Sequence, residues 1–393
     1  MTAADQTPAR PGATGDDAAM GGNGSGTLRS GKITAADLAA FGAGAALLGC
    51  GGGGAVDHML NVLSAAGRGF AVDLLAPDAD AGGFVAAIGL IGSTTVMEEK
   101  MPSGRELPAT VAALEQWTGL RIDAVMPAQI GGVTSLATAS LASQLGLPLV
   151  DADLEGRATP RLDQLTIFGP GAAPVTAVAV TTSGLTILVS DATPSDLETV
   201  WRDAVSHSGG WAAFAIGPLA MTQVRENSIH GSVSRAVTVG HALLAAAGYD
   251  AGTLAASLGG TVVGRGRVID IERHEDQVNF VANSIVALNA DTGAVMRLEA
   301  SSEYVLVLVD GEPKVSAPTL IAVLDSRTLE PIATVDVRIG ADIVVLALPG
   351  AAWWRADPVR LRRIGPRAYG IDSEVLPEIG TAPGRGAAPG TTR

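Results

Sequence analysis

The stretch RIDAVMPAQIGGVTSLATASLASQLGLPLVDAD, residues 121–153, predicts a strand, a helix and a second strand in succession. Its two ends, 121–129 and 147–153, have the short apolar runs of buried strands, whereas 134–146 has the pattern of a helix. Upstream, GGFVAAIGLIG (82–92) predicts another buried strand and LPATVAALEQWTGL (107–120) another helix. Strands that alternate with helices in this way predict an N-terminal α/β domain with a mainly parallel sheet.

Two further helices are predicted before this stretch. ITAADLAAFGAGAALLG (33–49) predicts a helix over about 35–48, with Thr34 as its N-cap and Asp37 three residues later. Gly49 ends that helix. AVDHMLNVLSAAG (55–67) predicts the second helix from its helical spacing of apolar residues. The segment CGGGG, residues 50–54, therefore connects two helices.

The pattern changes in the last third of the chain. From Gly260 onward, short β-type runs such as TVVGRGRVIDIERH (261–274) and DIVVLALPG (342–350) are separated by turn residues. We therefore predict a smaller β-rich C-terminal domain over 251–378, after an α/β domain over 30–250. Residues 1–29 and 379–393 are rich in Gly, Ala and polar residues and are predicted to be disordered tails.

The overall composition excludes several classes of partner. With 26 Lys and Arg against 40 Asp and Glu, the formal charge is −14, so nucleic acid and anionic membrane surfaces are not expected to bind. A single cysteine cannot form an internal disulfide, and the N-terminal residues lack the apolar core of a secretory signal. We expect a cytoplasmic protein without a membrane span, and a homo-oligomer. The five histidines have no metal-binding spacing, so neither a metal nor a cofactor is predicted.

The glycine run suggests a chemical role for the only cysteine. Backbone N–H groups of Gly51, Gly52, Gly53 and Gly54 can converge on an anion, because residues without a Cβ reach positive φ values. The N-terminus of the following helix would lower the pKa of the Cys50 thiol and make it more reactive. The alternative is that Gly49 caps a helix, the run is a flexible connection and Cys50 is a small buried residue.

Three other segments carry candidate site residues. GSTTVMEEK (92–100) contributes Ser93 and Glu99, with a solvated helix start as the alternative. MPAQIGGVTS (126–135) contributes Gln129, Gly131 and Gly132, whose backbone amides could hold an anionic or carbonyl group, with an ordinary strand-to-helix turn as the alternative.

The third segment, LVDADLEGRATP (149–160), is the strongest polar cluster. Asp151, Asp153, Glu155 and Arg157 follow an apolar strand at the edge where open α/β sheets place their sites. These carboxylates could act as a general base, orient an arginine or bind a cation, and the alternative is a salt-bridged loop.

These segments occur in an order that resembles the S-methyl thiohydantoin desulfurase domain family, related in naming to hydantoinase/oxoprolinase proteins. The resemblance runs from about Thr34 to Pro377 and is carried by LGCGGGG (48–54), GSTTVMEEK (92–100), IGGVTSL (130–136), LPLVDADLEGRATP (147–160), GSVSRAVTVG (231–240), SEYVLVLVDG (302–311), APTLIAVLD (317–325) and GPRAYGID (365–372). It implies an α/β domain followed by a β-rich domain. It also implies attack on a five-membered hydantoin-like ring with loss of a sulfur group, or a related reaction on a cyclic amide.

The sequence departs from the family pattern at several motif positions. Gln129 stands where relatives usually carry a glutamate, and Thr134 where they carry an asparagine. Ser302-Glu303 replaces a common Asn-Glu pair, and Thr94 and Thr319 also differ. Cys50, Asp151, Asp153 and Arg157 remain in place, so the resemblance implies that the nucleophile survives while substrate choice has changed.

Together these observations predict a cofactor-free enzyme in which the Cys50 thiolate adds to the electrophilic carbon of a small cyclic amide. Glycine amides would stabilise negative charge, Asp151 or Asp153 would move a proton, and Arg157 would orient a substrate carboxylate. One alternative is a catalytically silent binding or scaffold protein that pairs with a hydantoinase/oxoprolinase-type partner. Another is a metal-dependent hydrolase that uses Asp151, Asp153 and His58.

Overall fold

A computed structural model describes residues 31–379, except 66, 80–81, 101, 170–171, 173, 247 and 276–280. The predicted tails, 1–29 and 379–393, lie outside the described residues apart from Ile379. None of the helices in the described ranges is both long and apolar enough to cross a lipid bilayer.

The N-terminal half is built on an eight-stranded mixed sheet with the strand order β1-β2-β5-β4-β3-β9-β7-β8. Its central strands β2, β5, β4 and β3 run parallel, and the pairs at both ends are antiparallel. A two-stranded sheet joins β6 to β10. The strands are β1 (Lys32–Thr34), β2 (Ala71–Leu75), β3 (Phe84–Gly92), β4 (Ala124–Pro127), β5 (Leu149–Val150), β6 (Ala152–Asp153), β7 (Val175–Thr181), β8 (Thr186–Ala192), β9 (Trp211–Ala220) and β10 (Ile229–His230).

Helices cover this sheet, and two of them approach each other unusually closely. A Cβ on Gly44 of α1 would lie 1.7 Å from the carbonyl oxygen of Ala236 in α8, and one on Gly240 would lie 1.6 Å from that of Ala40. Glycine is therefore required at this crossing. The helices are α1 (Leu38–Leu48), α2 (Asp57–Ala65), α3 (Thr94–Glu99), α4 (Glu106–Thr118), α5 (Val133–Leu145), α6 (Pro194–His207), α7 (Met221–Asn227), α8 (Ser232–Ala245), α9 (Ala251–Ser257), α10 (Ala352–Arg355) and α11 (Pro358–Ile364).

The first helix begins three residues later than predicted. Thr34 ends β1, and its backbone N–H and hydroxyl both donate to the Asp37 carboxylate, at 2.9 and 2.7 Å. This arrangement holds residues 35–37 in a turn, so α1 starts at Leu38.

The C-terminal half is a seven-stranded sheet with the order β15-β14-β13-β12-β11-β17-β16, and all of its pairs are antiparallel. The predicted fold class, an α/β domain followed by a β-rich domain, is confirmed. The seven strands are β11 (Thr261–Glu275), β12 (Val281–Leu288), β13 (Val295–Ser301), β14 (Glu303–Val309), β15 (Glu312–Ser316), β16 (Leu320–Asp325) and β17 (Asp342–Leu348).

Candidate functional site

The glycine loop joins the two halves of the molecule. Cys50 and Gly51 adopt positive φ values of 50° and 90°. The carbonyl oxygen of Cys50 accepts a hydrogen bond from the N–H of Tyr304 at 2.8 Å, and that of Gly51 accepts one from the N–H of Thr334 at 2.9 Å. The loop after α1 is thus fixed by backbone bonds to the start of β14 and to the segment before β17.

The glycine loop packs directly against Gly131 and Gly132, the glycines that precede α5. A Cβ on Gly132 would lie 2.1 Å from the carbonyl oxygen of Gly53, and one on Gly131 would lie 2.6 Å from the Cα of Gly49. Val133 N–H donates to the Gly53 oxygen at 2.9 Å. The structure therefore brings together the two glycine segments that the sequence singled out, by direct backbone contact.

A cleft of about 530 Å³ lies beside the loop, between the two sheets. Of the predicted site residues, Gly51 to Gly54, Ser93 and Gln129 line it. The lining also includes other polar residues, among them Thr159, Arg161, Arg202, Ser302, Thr334 and Asp336. Two more lining residues are Glu155, a candidate carboxylate of the acidic block in the sequence, and Glu303, to which the sequence assigned no role.

Glu303 is a buried carboxylic acid at the wall of the cleft. Its side chain is 2% exposed, and its Oε2 atom has no hydrogen-bond partner among the described residues. Burial raises the pKa of Glu303 to about 8, although the charge of Arg157 and the N–H of Glu303 act in the opposite direction. Glu303 is therefore predominantly protonated at neutral pH and can donate a proton.

Glu155 is the second buried acid of the cleft and is 4% exposed. Its Oε2 accepts a hydrogen bond from the N–H of Thr159 at 3.0 Å. Burial raises the pKa of Glu155 well above its usual value, and the charges of Asp153 and Glu303 raise it further. Two buried acids with raised pKa values in one cleft, one of which raises the pKa of the other, are typical of an acid–base site.

The backbone and two arginines add groups that can bind an anion. Within the described residues, the N–H of Gly52 donates to the carbonyl oxygen of Gly49, whereas those of Gly53 and Gly54 make no hydrogen bond. Arg161 and Arg202 also line the cleft; they form ion pairs with Asp163 and Glu198, and their side chains are 31% and 22% exposed. An anionic or developing negative group in the cleft therefore has nearby donors.

Cys50 is placed differently from its predicted role. Its side chain is fully buried and does not line the cleft. Burial raises the pKa of the Cys50 thiol, whereas a lowered pKa was predicted; Arg157 and the N–H of Ile321 act in the opposite direction without reversing the shift. The cause is the packing of the loop against β14 and β16, which removes the sulfur from water.

The two predicted aspartates serve the framework around the cleft and do not line it. Asp151 accepts hydrogen bonds from the backbone N–H and hydroxyl of Ser234 in the first turn of α8. Asp153 accepts three, from the N–H groups of Ile130, Glu155 and Gly156 at 3.0, 3.1 and 2.7 Å. Burial raises the pKa of Asp153 to about 6, although these three bonds lower it.

Arg157 is also buried and does not line the cleft. It is 1% exposed and donates through Nη2 to the carbonyl oxygen of Tyr304 at 2.9 Å and through Nε to that of Ala158 at 3.1 Å. Its charge lowers the pKa values of Cys50 and Glu303. Arg157 is therefore a positioning residue beside Glu303, and it is not in a position to bind a substrate carboxylate as predicted.

Two further predictions concern residues that do not line the cleft. Glu99 is exposed at the end of α3 and is not part of the lining, although its neighbour Glu98 is. The ligand set proposed for a metal-dependent hydrolase, Asp151, Asp153 and His58, is not assembled: the described part of the chain contains no group of three or more His, Cys, Asp or Glu residues arranged to hold a metal ion.

Comparison with known proteins places the chain in a family. A crystal structure of a protein from Chromobacterium violaceum superposes with a TM-score of 0.70 at 20% identity, covering 89% of this chain and 100% of that one, which shows a shared fold. No curated protein matches the sequence. The family model described as "S-Me-THD-like, N-terminal domain" matches residues 36–191, and "S-Me-THD-like, C-terminal domain" matches residues 192–378. The chain belongs to the S-Me-THD-like family, the S-methyl thiohydantoin desulfurase family that its motifs resemble.

Proposed function

We propose that the protein is a hydrolase of small hydantoin-like rings, with an S-alkyl thiohydantoin as its substrate class, and that Glu303 and Glu155 supply its acid–base chemistry. The observation that carries the proposal is the pair of buried carboxyl groups with raised pKa values in one cleft. A volume of about 530 Å³ is in the range that protein sites for small molecules occupy.

The reaction requires one acid and one base. Water adds to the ring carbon that carries the sulfur, and a carboxylate takes a proton from that water. The protonated carboxyl of Glu303 gives its proton to the sulfur as the carbon–sulfur bond breaks. An S-methyl thiohydantoin and one water thus yield a hydantoin and methanethiol, so that atoms and protons balance. Glu155 in its ionised fraction is the base in this scheme.

The remaining lining residues bind the ring and its charge. The N–H groups of Gly53 and Gly54, which make no hydrogen bond to the described part of the chain, would donate to the ring oxygen or nitrogen on which negative charge develops. Arg161 and Arg202 would bind an acidic substituent on the ring. Gln129 replaces a carboxylate of the family pattern with a neutral amide, which offers both a donor and an acceptor to a cyclic amide.

Cys50 has no covalent role in this reaction. A nucleophile must contact its substrate, and the Cys50 sulfur is fully buried with a raised thiol pKa. Its backbone contributes instead, because the Cys50 carbonyl oxygen fixes Tyr304 and with it the neighbouring Glu303.

The test is turnover of S-methyl thiohydantoins, followed as methanethiol release and hydantoin formation. Glu303→Gln and Glu155→Gln are each expected to lower kcat by at least about 100-fold, the usual contribution of a general acid or base. Glu312→Gln, an exposed glutamate of β15 outside the cleft, is the matched control and should leave kcat unchanged.

Two results would contradict the proposal. Glu303→Gln with wild-type turnover would remove the assigned acid. A wild-type protein that neither turns over nor is thermally stabilised by S-methyl thiohydantoins, thiohydantoins, hydantoins or pyroglutamate would instead favour the silent binding or scaffold protein that pairs with a hydantoinase/oxoprolinase-type partner.

A further inference from the structure

A second cavity, of about 300 Å³, lies on the other side of the wall that bounds the cleft. Adjacent residues show this placement: Glu155 and Gln129 line the cleft, whereas their neighbours Gly156 and Ile130 line the second cavity. Neither Cys50, Asp153 nor Arg157 lines either space. The two cavities are therefore separate sites that share a wall.

The polar lining of the second cavity contains mainly hydrogen-bond donors. Arg235 contributes the one guanidinium of this lining, and no Asp or Glu is part of it. Within the described ranges, no carboxylate oxygen lies within 4.0 Å of the Arg235 guanidinium; its Nη2 donates to the carbonyl oxygen of Pro349 at 2.7 Å. The charges of Asp153 and Glu378 act on Arg235, but neither residue lines the cavity. A lining with a cation and no carboxylate favours an anionic occupant.

Two buried groups in this lining lack the partners that buried polar groups normally have. The hydroxyl of Ser228, a residue 4% exposed, and the indole N–H of Trp353 make no hydrogen bond to the described residues. The hydroxyl of Ser232 interacts with the buried carboxyl of Asp153 and lowers its pKa, so it is not one of them. Since buried donors without partners are rare and costly, these groups point to a ligand.

The same cavity adjoins a helix N-terminus and has an apolar side. Ser232 is the first residue of α8, a helix of 14 residues, so the positive end of the helix dipole adds to the charge of Arg235. Leu48, Ile130, Ile229 and Ala351 supply apolar contacts on the remaining walls. One cation with several apolar residues fits a monoanion with an apolar body better than a phosphate.

We propose that this cavity is a binding site for a small organic carboxylate, separate from the cleft, in which Arg235 and the hydroxyl of Ser228 bind the carboxylate and the apolar residues contact its body. The site requires no turnover in the cleft, so it stands or falls independently of the proposed hydrolase function.

The experiment is isothermal titration of the full-length protein with phenylacetate, its neutral amide phenylacetamide, and inorganic phosphate. Phenylacetate is expected to bind, and phenylacetamide to bind at least about tenfold more weakly, because the amide lacks the charge that pairs with Arg235. Phosphate binding that is tighter than phenylacetate binding would overturn the assignment of an apolar carboxylate.

Substitutions of lining residues test whether phenylacetate binds in this cavity. Arg235→Met should weaken phenylacetate binding by at least about tenfold, whereas the exposed Arg225→Met should leave it unchanged. Ser228→Ala removes a hydroxyl that has no partner among the described residues, so the variant should fold normally and still bind phenylacetate more weakly. Equal affinities in wild type, Arg235→Met and Ser228→Ala, or no binding at about 10 mM phenylacetate, would overturn the proposal.

Discussion

The Cα of Gly52 lies directly against the carboxyl group of Glu303. A Cβ built on Gly52 would stand 2.2 Å from Oε1 and 2.6 Å from Cγ of Glu303. Neighbouring backbone bonds hold both sides of this contact, since Tyr304 N–H donates to the Cys50 oxygen at 2.8 Å. The glycine run is therefore the surface against which the acid of the cleft is packed.

Replacing Gly52 by alanine tests that relationship. Gly52→Ala is expected to displace the Glu303 carboxyl, to lower the free energy of unfolding by about 1–3 kcal/mol and to reduce turnover of the S-methyl thiohydantoin. Thermal unfolding and initial rates measure the two effects. Gly82→Ala is the control, because a Cβ there meets no atom within 4 Å. Identical behaviour of the two variants would contradict the packing described for Glu303.

The raised pKa of Glu303 predicts how stability depends on pH. In the folded protein Glu303 keeps this proton up to about pH 8, its pKa there, whereas in the unfolded chain it loses the proton near pH 4.5. Between these values the folded state binds more protons, so the free energy of unfolding falls as pH rises, by up to about 1.4 kcal/mol per pH unit from this group. Urea unfolding across this interval measures the slope.

The control for the pH prediction is Glu303→Gln, which removes this titrating group and should reduce the slope, whereas Asp153 and Glu155, whose pKa values are also raised, should keep part of it. Turnover should fall on the alkaline side of its optimum, because the general acid Glu303 is ionised there. A slope of stability against pH that is equal in wild type and Glu303→Gln would show that this carboxyl does not hold its proton in the folded state.

The burial of Cys50 predicts a thiol that is inert in the native protein. Its side chain is fully buried and its pKa is raised, so Ellman's reagent should modify it only as the protein unfolds. In urea one equivalent should react, since Cys50 is the single cysteine of the chain. Rapid modification of the folded protein near neutral pH would restore the thiolate mechanism.

Cys50→Ala separates structure from chemistry at the same position. Turnover should persist, because the proposed reaction uses the cleft carboxyls, while the lost packing should cost about 1 kcal/mol of stability. A folded Cys50→Ala protein without any turnover would contradict the assignment of acid–base chemistry to Glu303 and Glu155.

Asp151 is expected to stabilise the start of α8. Its carboxylate accepts the Ser234 N–H at 2.9 Å and also the Ser234 hydroxyl. Asp151→Ala should therefore lower the free energy of unfolding by about 1 kcal/mol, as the loss of a helix cap does. A double-mutant cycle with Ser234→Ala measures the coupling between them, and additive losses would show that the contact contributes nothing.

The elements of the fold could be predicted from local patterns. Buried strands such as Phe84–Gly92, helices such as Val133–Leu145 and the change to β-type runs after Gly260 all follow from the periodicity and length of apolar segments. The two glycine segments could also be identified, because runs of residues without a Cβ mark close backbone approach. A local signal of this kind does not say what the glycines approach.

Which side chains can take part in chemistry depends on their burial, and no local sequence pattern specifies burial. The sequence placed the cysteine and the aspartates of LVDAD at the centre of the chemistry, but packing of β14 and β16 over the loop buried Cys50, and the aspartates accept backbone hydrogen bonds. Glu155 was identified only as one of several carboxylates in the same acidic block. Glu303 stands 253 residues after Cys50, and only its Ser302-Glu303 motif marked it.

The sequence by itself determined the succession of strands and helices, the two glycine segments and the family, because these depend on residues that are neighbours along the chain or recur as motifs. Only the tertiary structure decided which carboxyl groups hold a proton. That property depends on desolvation by residues that are far apart in the sequence. Glu155 and Glu303 lie in one cleft because the glycine loop allows close packing, with the backbone of Gly53 against that of Gly132 and Gly52 against the side chain of Glu303.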